Sequence, residues 1–356
     1  MISRVAQLIA HDLKQHRTSQ VFSLLPFLLV GCSSPSESEN YVTEPPPRPT
    51  PCLSTGSICT ERIDIGGCVH LRVFSTHSLS EGDDLVGHGL IIVHGASRNA
   101  DDYFQRGFQA AAAAGNQNST VVIAPHFKTS SDNPASDALF WSSSGWKRGH
   151  LSSSDGVRPR KSSYSAIDKI INLLSDSSRF PGLTRITMTG HSAGGQVAHR
   201  YAATNRTEQA LGLIKIRYVV ANPSTYLYLG REREIEGAFS LPEESSCSDY
   251  DDWHYGLAER NNYASSMVAD TIKEQLIRRD VRILIGDADS LSSSLDISCG
   301  ANLQGPYRFV RGRILMRFMD KFFPHHVHKE MIVPGVGHSS SQMYLSNTGL
   351  NALFSN

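Results

Sequence analysis

The sequence predicts an α/β protein with a mostly parallel central sheet and helices on both faces. Three observations predict it. Short apolar runs, continuous rather than alternating, recur from about residue 70, as strands buried on both faces require. Segments with apolar residues at helical spacing separate those runs, and alternating strands and helices generate parallel crossovers. Small residues and glycines cluster where three of the runs end, at 190–195, 286–289 and 334–338.

Taken in order, residues 71–74 read as an early strand and 89–94 as a buried parallel strand. Residues 101–114 read as a helix ending near Gly115. A second buried strand at 120–124 is stopped by Pro125, which has no N–H to donate to a ladder. Helices follow at 165–174, 196–204, 267–279 and 311–323, and strands at 186–189, 216–221, 281–285 and 330–333. Two long segments interrupt the alternation. Residues 126–164 are rich in Ser, Gly and Trp, and 225–266 hold Tyr, Trp and acids. Long irregular insertions in a compact α/β domain tend to be functional loops or lids, so a lid-like insertion is expected at about 225–280. No internal repeat is visible.

The chain has 356 residues, with 34 Lys+Arg against 34 Asp+Glu. That balance excludes a strong general attraction to nucleic acid. At 40% hydrophobic and 19% charged residues, the chain as a whole is not disordered. The first 55 residues read differently from the rest. Residues 1–20 are basic, 21–30 form an apolar run, and Gly31-Cys32 follow. Ten apolar residues are too few to span a bilayer as a helix but suit a secretory signal. Residues 29–32 resemble a bacterial lipobox, which implies lipidation at Cys32. Ser33, directly after it, is not an inner-membrane retention aspartate, so the outer membrane is the expected address. Ser33 to Pro51 is rich in Ser, Glu and Pro, a composition suited to an extended spacer. The expected organisation is therefore a signal at 1–31, a tether at 32–55 and one domain at 56–356. Removing residues 1–31 takes away three basic residues and one acid, leaving 31 and 33.

The strongest chemical signal is Gly190-His191-Ser192-Ala193-Gly194, a G-x-S-x-G motif between a strand and a helix. A sharp strand-to-helix turn exposes Ser192 at the carboxyl edge of the sheet, where only small neighbours avoid a clash. The helix that starts there aims backbone N–H groups at developing negative charge. A nucleophilic serine needs a base, and the base an acid. His338 follows the last strand on a glycine-rich turn, and Asp287 and Asp289 follow the strand before it. In a parallel sheet all three turns reach the same edge. Asp289 is favoured over Asp287 as the acid. Such an acid fixes the tautomer of His338 and stabilises its imidazolium. The histidines at 325, 326 and 328 lie in a stretch expected to be a solvated loop. No carboxylate stands at ligand spacing around them, so neither a metal nor a cofactor is assigned.

Across residues ~60–356 the sequence resembles the α/β-hydrolase superfamily, and more narrowly its esterase and polyhydroxyalkanoate-depolymerase-like branch. The matching pieces are residues 93–103, 190–195, 221–226, 253–257 and 336–338. They are also similar to oxidised polyvinyl alcohol hydrolases, which cleave β-diketones. The resemblance implies a Ser192–Asp289–His338 triad. It also implies an oxyanion hole made by the N–H groups of Ala193 and Ala96, with Ser97 beside it. It implies hydrolysis of a small or polymeric carboxylic ester, with a C–C bond in a β-diketone as the alternative. A non-catalytic surface binding protein on the same scaffold is the alternative from another class. Tyr226 and Trp253 are candidates to line the substrate pocket, along with Trp146 and Tyr255. A membrane contact through the lipid anchor is the expected partner, with no nucleic acid, and a monomer is expected. Of the six cysteines, Cys59 with Cys68 and Cys247 with Cys299 are the candidate bridges. The second would pin the insertion to the acid loop, and closing some 50 residues contributes about 3–4 kcal/mol. Cys52 is left over.

Overall fold

The structure, a computed structural model, describes residues 50–355 apart from 155, 157, 244 and 246. The signal, lipidation at Cys32 and most of the tether lie outside the described residues. The strands are β1 (Thr60–Asp64), β2 (His70–Ser75), β3 (His88–Val93), β4 (Thr120–Pro125), β5 (Arg185–His191), β6 (Lys215–Ala221), β7 (Arg233–Ile235), β8 (Ala238–Ser240), β9 (Asp280–Gly286) and β10 (Lys329–Val333). The helices are α1 (Ala100–Ala113), α2 (Ser163–Leu174), α3 (Ala193–Thr204), α4 (Ala269–Arg278), α5 (Cys299–Asn302), α6 (Arg308–Phe322), α7 (Ser340–Leu345) and α8 (Asn347–Phe354). Eight strands form one sheet in the order β1-β2-β4-β3-β5-β6-β9-β10. The pairs β1–β2 and β2–β4 are antiparallel, and the other five are parallel.

The continuous apolar runs follow from this topology. Side chains alternate across a strand, and both faces of the sheet are covered. In β3, Leu90 and Ile92 join a core under α1, α7 and α8, where Phe104, Met343 and Leu353 pack. Ile91 and Val93 face the opposite core, which receives Ile167 and Ile170 of α2, Val197 of α3, Leu276 of α4 and Leu315 of α6. Each fully buried side chain of this size contributes roughly 1.5–3 kcal/mol. The parallel direction matters most for function, because the carboxyl ends of β3, β5, β6, β9 and β10 lie along one edge.

Two expectations about the early chain change. The tether does not reach residue 55: Cys52 is fully buried, its N–H donates to Thr76 O at 2.7 Å, and its sulfur is bonded to Cys59. Cys59 therefore does not pair with Cys68, which is itself disulfide-bonded. A neighbour along the fold, rather than across the expected hairpin, takes the Cys59 sulfur. The Cys247–Cys299 bridge is present as expected. The insertion between β6 and α4 carries the β7–β8 hairpin. The histidine stretch is less solvated than expected. His328 is buried and its Nε2 bonds Leu276 O at 2.8 Å, while His326 Nε2 lies 3.0 Å from Asp320.

Candidate active site

Ser192 sits between β5 and α3 with φ 59° and ψ −117°, a left-handed conformation that costs energy in a residue with a Cβ. Its surroundings leave no alternative to small residues. A Cβ on Gly190 would lie 2.3 Å from the Gly194 carbonyl carbon, and one on Gly194 would lie 2.2 Å from Val93 O. Ser192 N–H donates to Ala221 O at 2.9 Å, tying the turn to the end of β6. Ala193 begins α3, where backbone N–H groups lack intrahelical acceptors.

The turns after β9 and β10 bring His338 and Asp289 together. His338 Nδ1 lies 2.6 Å from Asp289 Oδ2, and Asp289 is fully buried. Asp287 does a different job: its Oδ1 accepts the Gly335 N–H at 2.6 Å. One acid thus meets the histidine while the other braces the turn that carries it. Asp287 N–H donates to Val333 O at 3.3 Å and Ala288 N–H to Val336 O at 3.2 Å, so the two turns are stitched side by side. Asn222 completes the stitching. Its Oδ1 accepts from Gly286 N–H at 2.9 Å and its Nδ2 donates to Gly337 O at 3.2 Å.

Three neighbours escape sequence reasoning. Arg308, at the start of α6, is fully buried with Nη1 3.5 Å from Asp289 Oδ1. Its guanidinium also holds Leu291 O at 3.1 Å and Ser293 O at 3.0 Å. Burial lowers its pKa, and the Asp289 carboxylate opposes that. His191 lies with its ring centroid 4.4 Å from that of His338. Burial, followed by His338 and nearby arginines, pushes its pKa well down, so a neutral ring packs against His338. Tyr103 OH stands 3.5 Å from His191 Nδ1. Nothing in the residue pattern marks Arg308. His191 occupies the variable position of the serine motif, whose inward direction is fixed only by the turn.

At the end of β3, His94 is fully buried and its pKa is pushed down to about 3, first by burial. A neutral ring is what its bonds require: Nδ1 lies 2.9 Å from Gly95 O and Nε2 accepts the Phe127 N–H at 3.0 Å. Ala96 and Ser97 follow on an exposed turn. Arg98 fastens that turn to the 126–164 segment. Its Nε and Nη2 reach Asp132 at 2.7 and 3.1 Å, and its Nη1 bonds Ala96 O at 3.3 Å.

The aromatic candidates are placed otherwise than expected. Tyr226 is fully buried, and its main chain is bonded by both ends of the Gln304 amide at 2.8 and 2.9 Å. It packs on His199 rather than lining a cleft. Trp253 donates its indole N–H to Arg148 O at 2.8 Å and anchors the insertion to the 146–148 turn. Large rings stabilise irregular segments that have few ladder bonds of their own. Trp146 is buried against His94, 4.7 Å between ring centroids.

No protein-family model and no curated protein matches the chain. Among solved structures it is similar to LpqC, a poly(3-hydroxybutyrate) depolymerase from Bordetella parapertussis, at 18% identity and a TM-score of 0.57. That match covers 82% of this chain and 89% of the other. It is also similar to poly(aspartic acid) hydrolase-1 from Sphingomonas sp. KT-1, at 21% identity and a TM-score of 0.56, covering 80% and 94%. Strand order, the strained serine turn and these likenesses together identify the architecture: the chain has the α/β-hydrolase fold.

Proposed function

We propose that the protein is a serine hydrolase that cleaves carboxylic esters through an acyl-enzyme. The observation that carries this reading is the 2.6 Å contact between His338 Nδ1 and buried Asp289, on the sheet edge where Ser192 is held in its left-handed turn. With Asp289 accepting from Nδ1, Nε2 is left free to take the Ser192 proton. Ser192 Oγ then attacks the ester carbonyl. The N–H groups of Ala193 and Ala96 receive the oxyanion, and His338 returns the proton to the departing alcohol. A water activated by His338 attacks the acyl-enzyme and releases the acid, regenerating Ser192.

Labelling with a fluorophosphonate probe tests the reading directly. Wild type is expected to label at Ser192 and to hydrolyse short nitrophenyl esters. Ser192→Ala abolishes labelling and lowers kcat on the order of 10⁶-fold. An unlabelled wild type, or equal labelling of the variant, refutes it. Export to an oxidising compartment fits the bridges Cys52–Cys59 and Cys247–Cys299. Anchoring through Cys32 predicts that Cys32→Ala releases the protein from membranes.

A further inference from the structure

A group of cations, faced by the acid Asp296, gathers around the far turns of the helix that Ser192 opens. Arg200 of α3 lies eight residues beyond Ser192, about 12 Å along the helix axis. It is fully buried. Its guanidinium donates to His254 O at 3.1 Å, Lys147 O at 3.2 Å, Gln196 Oε1 at 3.1 Å and Thr225 Oγ1 at 2.8 Å. Every one of these acceptors is neutral. Lys147 and Arg148 adjoin it, on the turn that Trp146 packs against His94, and both are partly exposed. Neither side chain has a hydrogen-bond partner or a carboxylate within ion-pair distance among the described residues, and Arg148 Nε is buried bare. His254 is buried and His150 half-buried in the same group.

The acid facing this group is Asp296, one negative charge that attracts Lys147, Arg148 and Arg200 and so leaves the group net positive. Tyr255 OH donates to the Asp296 carboxylate at 2.8 Å and Ser298 Oγ at 2.8 Å. Its N–H bonds Ser224 Oγ at 2.7 Å, three residues beyond the Ala221 carbonyl that receives the Ser192 N–H. The group therefore belongs to the same sheet edge as Ser192. Burial lowers the pKa of both Lys147 and Arg148; at Lys147 the nearby Arg200 and Arg148 add to it, and at both residues Asp296 opposes it. Burial together with Arg200, Arg148 and Lys147 drives His254 far down. Desolvated like charges are unfavourable unless something of opposite sign joins them. Arginine's planar fork matches a carboxylate, and lysine adds a point charge.

We propose that Lys147 and Arg148, backed by Arg200, form a subsite for a carboxylate carried by the substrate. The preferred ester would then bear a free acid group several bonds from the scissile carbonyl. The inference rests on the ester-hydrolase reading of Ser192 and deepens it by naming the substrate class.

The test compares 4-nitrophenyl hydrogen glutarate, an anion, with its neutral methyl ester. Wild type is expected to favour the anion by about tenfold or more in kcat/KM, the scale of one charge-assisted hydrogen bond. In a Lys147→Met/Arg148→Met double variant the ratio of the two kcat/KM values should fall towards one. Arg148→Lys should keep part of the preference. A wild-type ratio of one or below, or a ratio unchanged in the double variant, overturns the proposal. Calorimetric titration of glutarate into wild type and double variant separates this from the parent reading. Binding that weakens in the variant supports the subsite even if neither ester turns over, which would sink the ester-hydrolase reading instead. Absence of glutarate binding to wild type sinks the subsite while fluorophosphonate labelling still stands.

Discussion

At the amino ends of β5, β6 and β9, Arg185, Arg217 and Arg282 close onto partners. Arg217 meets Asp280 at 2.7 Å and Ser355 O at 2.5 Å. Arg282 meets the other oxygen of Asp280 at 3.3 Å and Asn351 O at 2.9 Å, and Arg185 reaches Ser355 O at 2.7 Å. These residues line a basin of about 680 Å³, and their bonds seal the end of α8 against the sheet. At the carboxyl ends of the same strands, buried polar atoms stop short of full pairing. Asp289 Oδ1, Arg308 Nε and His191 Nε2 have no hydrogen-bond partner among the described residues. A sizeable concavity thus lies at an edge whose charges are spent on structure. Incomplete pairing in a buried site is costly, and these three instances of it are at or beside the residues proposed to move a proton.

The contrast is open to test from its strongest consequence downward. Within the carboxyl edge, Asp289→Asn should lower kcat on a nitrophenyl ester by about 10⁴-fold, since the wrong histidine tautomer results. Asp287→Asn keeps an oxygen for the Gly335 N–H and should lower it far less. Equal losses in the two variants would erase the division of labour between these acids. Behind the acid, Arg308→Met strands a fully buried carboxylate and should reduce unfolding free energy in urea by about 3–5 kcal/mol. A change under about 1 kcal/mol would show the pair to be incidental.

Acid should weaken both edges together. His88, bonded to Thr187 Oγ1 at the amino edge, and His94 at the carboxyl edge are each pushed down to about 3, chiefly by burial. Between pH 6.5 and 3 the unfolded chain takes up protons that these folded imidazoles refuse. Stability therefore falls as pH falls through that window, by about 1.4 kcal/mol per unit for fully buried His94. Urea midpoints from pH 7 to 4 would read this, and a flat profile would refute it. The smallest effect belongs to the sealing arginines. Arg217→Ala should lower stability by about 1–2 kcal/mol and leave kcat unchanged. A fall in kcat would break the separation of the edges.

Ser192, Asp289 and His338 were legible because their signals are local. Each is a small-residue turn at the end of an apolar run, and parallel strands bring such turns to one edge. The preference for Asp289 over Asp287 rested on turn position, and the 2.6 Å contact to His338 agrees with it. Arg308 was not legible because it reaches Asp289 from another element, and Asn222 because its role exists only when three turns meet. Tyr226 and Trp253 misled for a physical reason: aromatic rings in an irregular segment look like a pocket lining, yet such segments need them as core. α7 and α8 were missed although Ser339 and Ser346 cap them through the N–H groups of Gln342 and Gly349. Serine three residues before the N–H it bonds was the readable signal.

The Cys247–Cys299 bridge has a mechanical consequence. It holds the Cα atoms of the insertion and of the stretch beyond Asp289 at 5.8 Å, and no thermal motion can part them without breaking a covalent bond. That junction is a fixed one. Residues 126–164, by contrast, are held by reversible contacts such as Arg98 to Asp132 and Trp253 to Arg148. Parting the insertion from the 146–148 turn therefore breaks only noncovalent contacts, whereas parting it from the Cys299 stretch breaks a covalent bond.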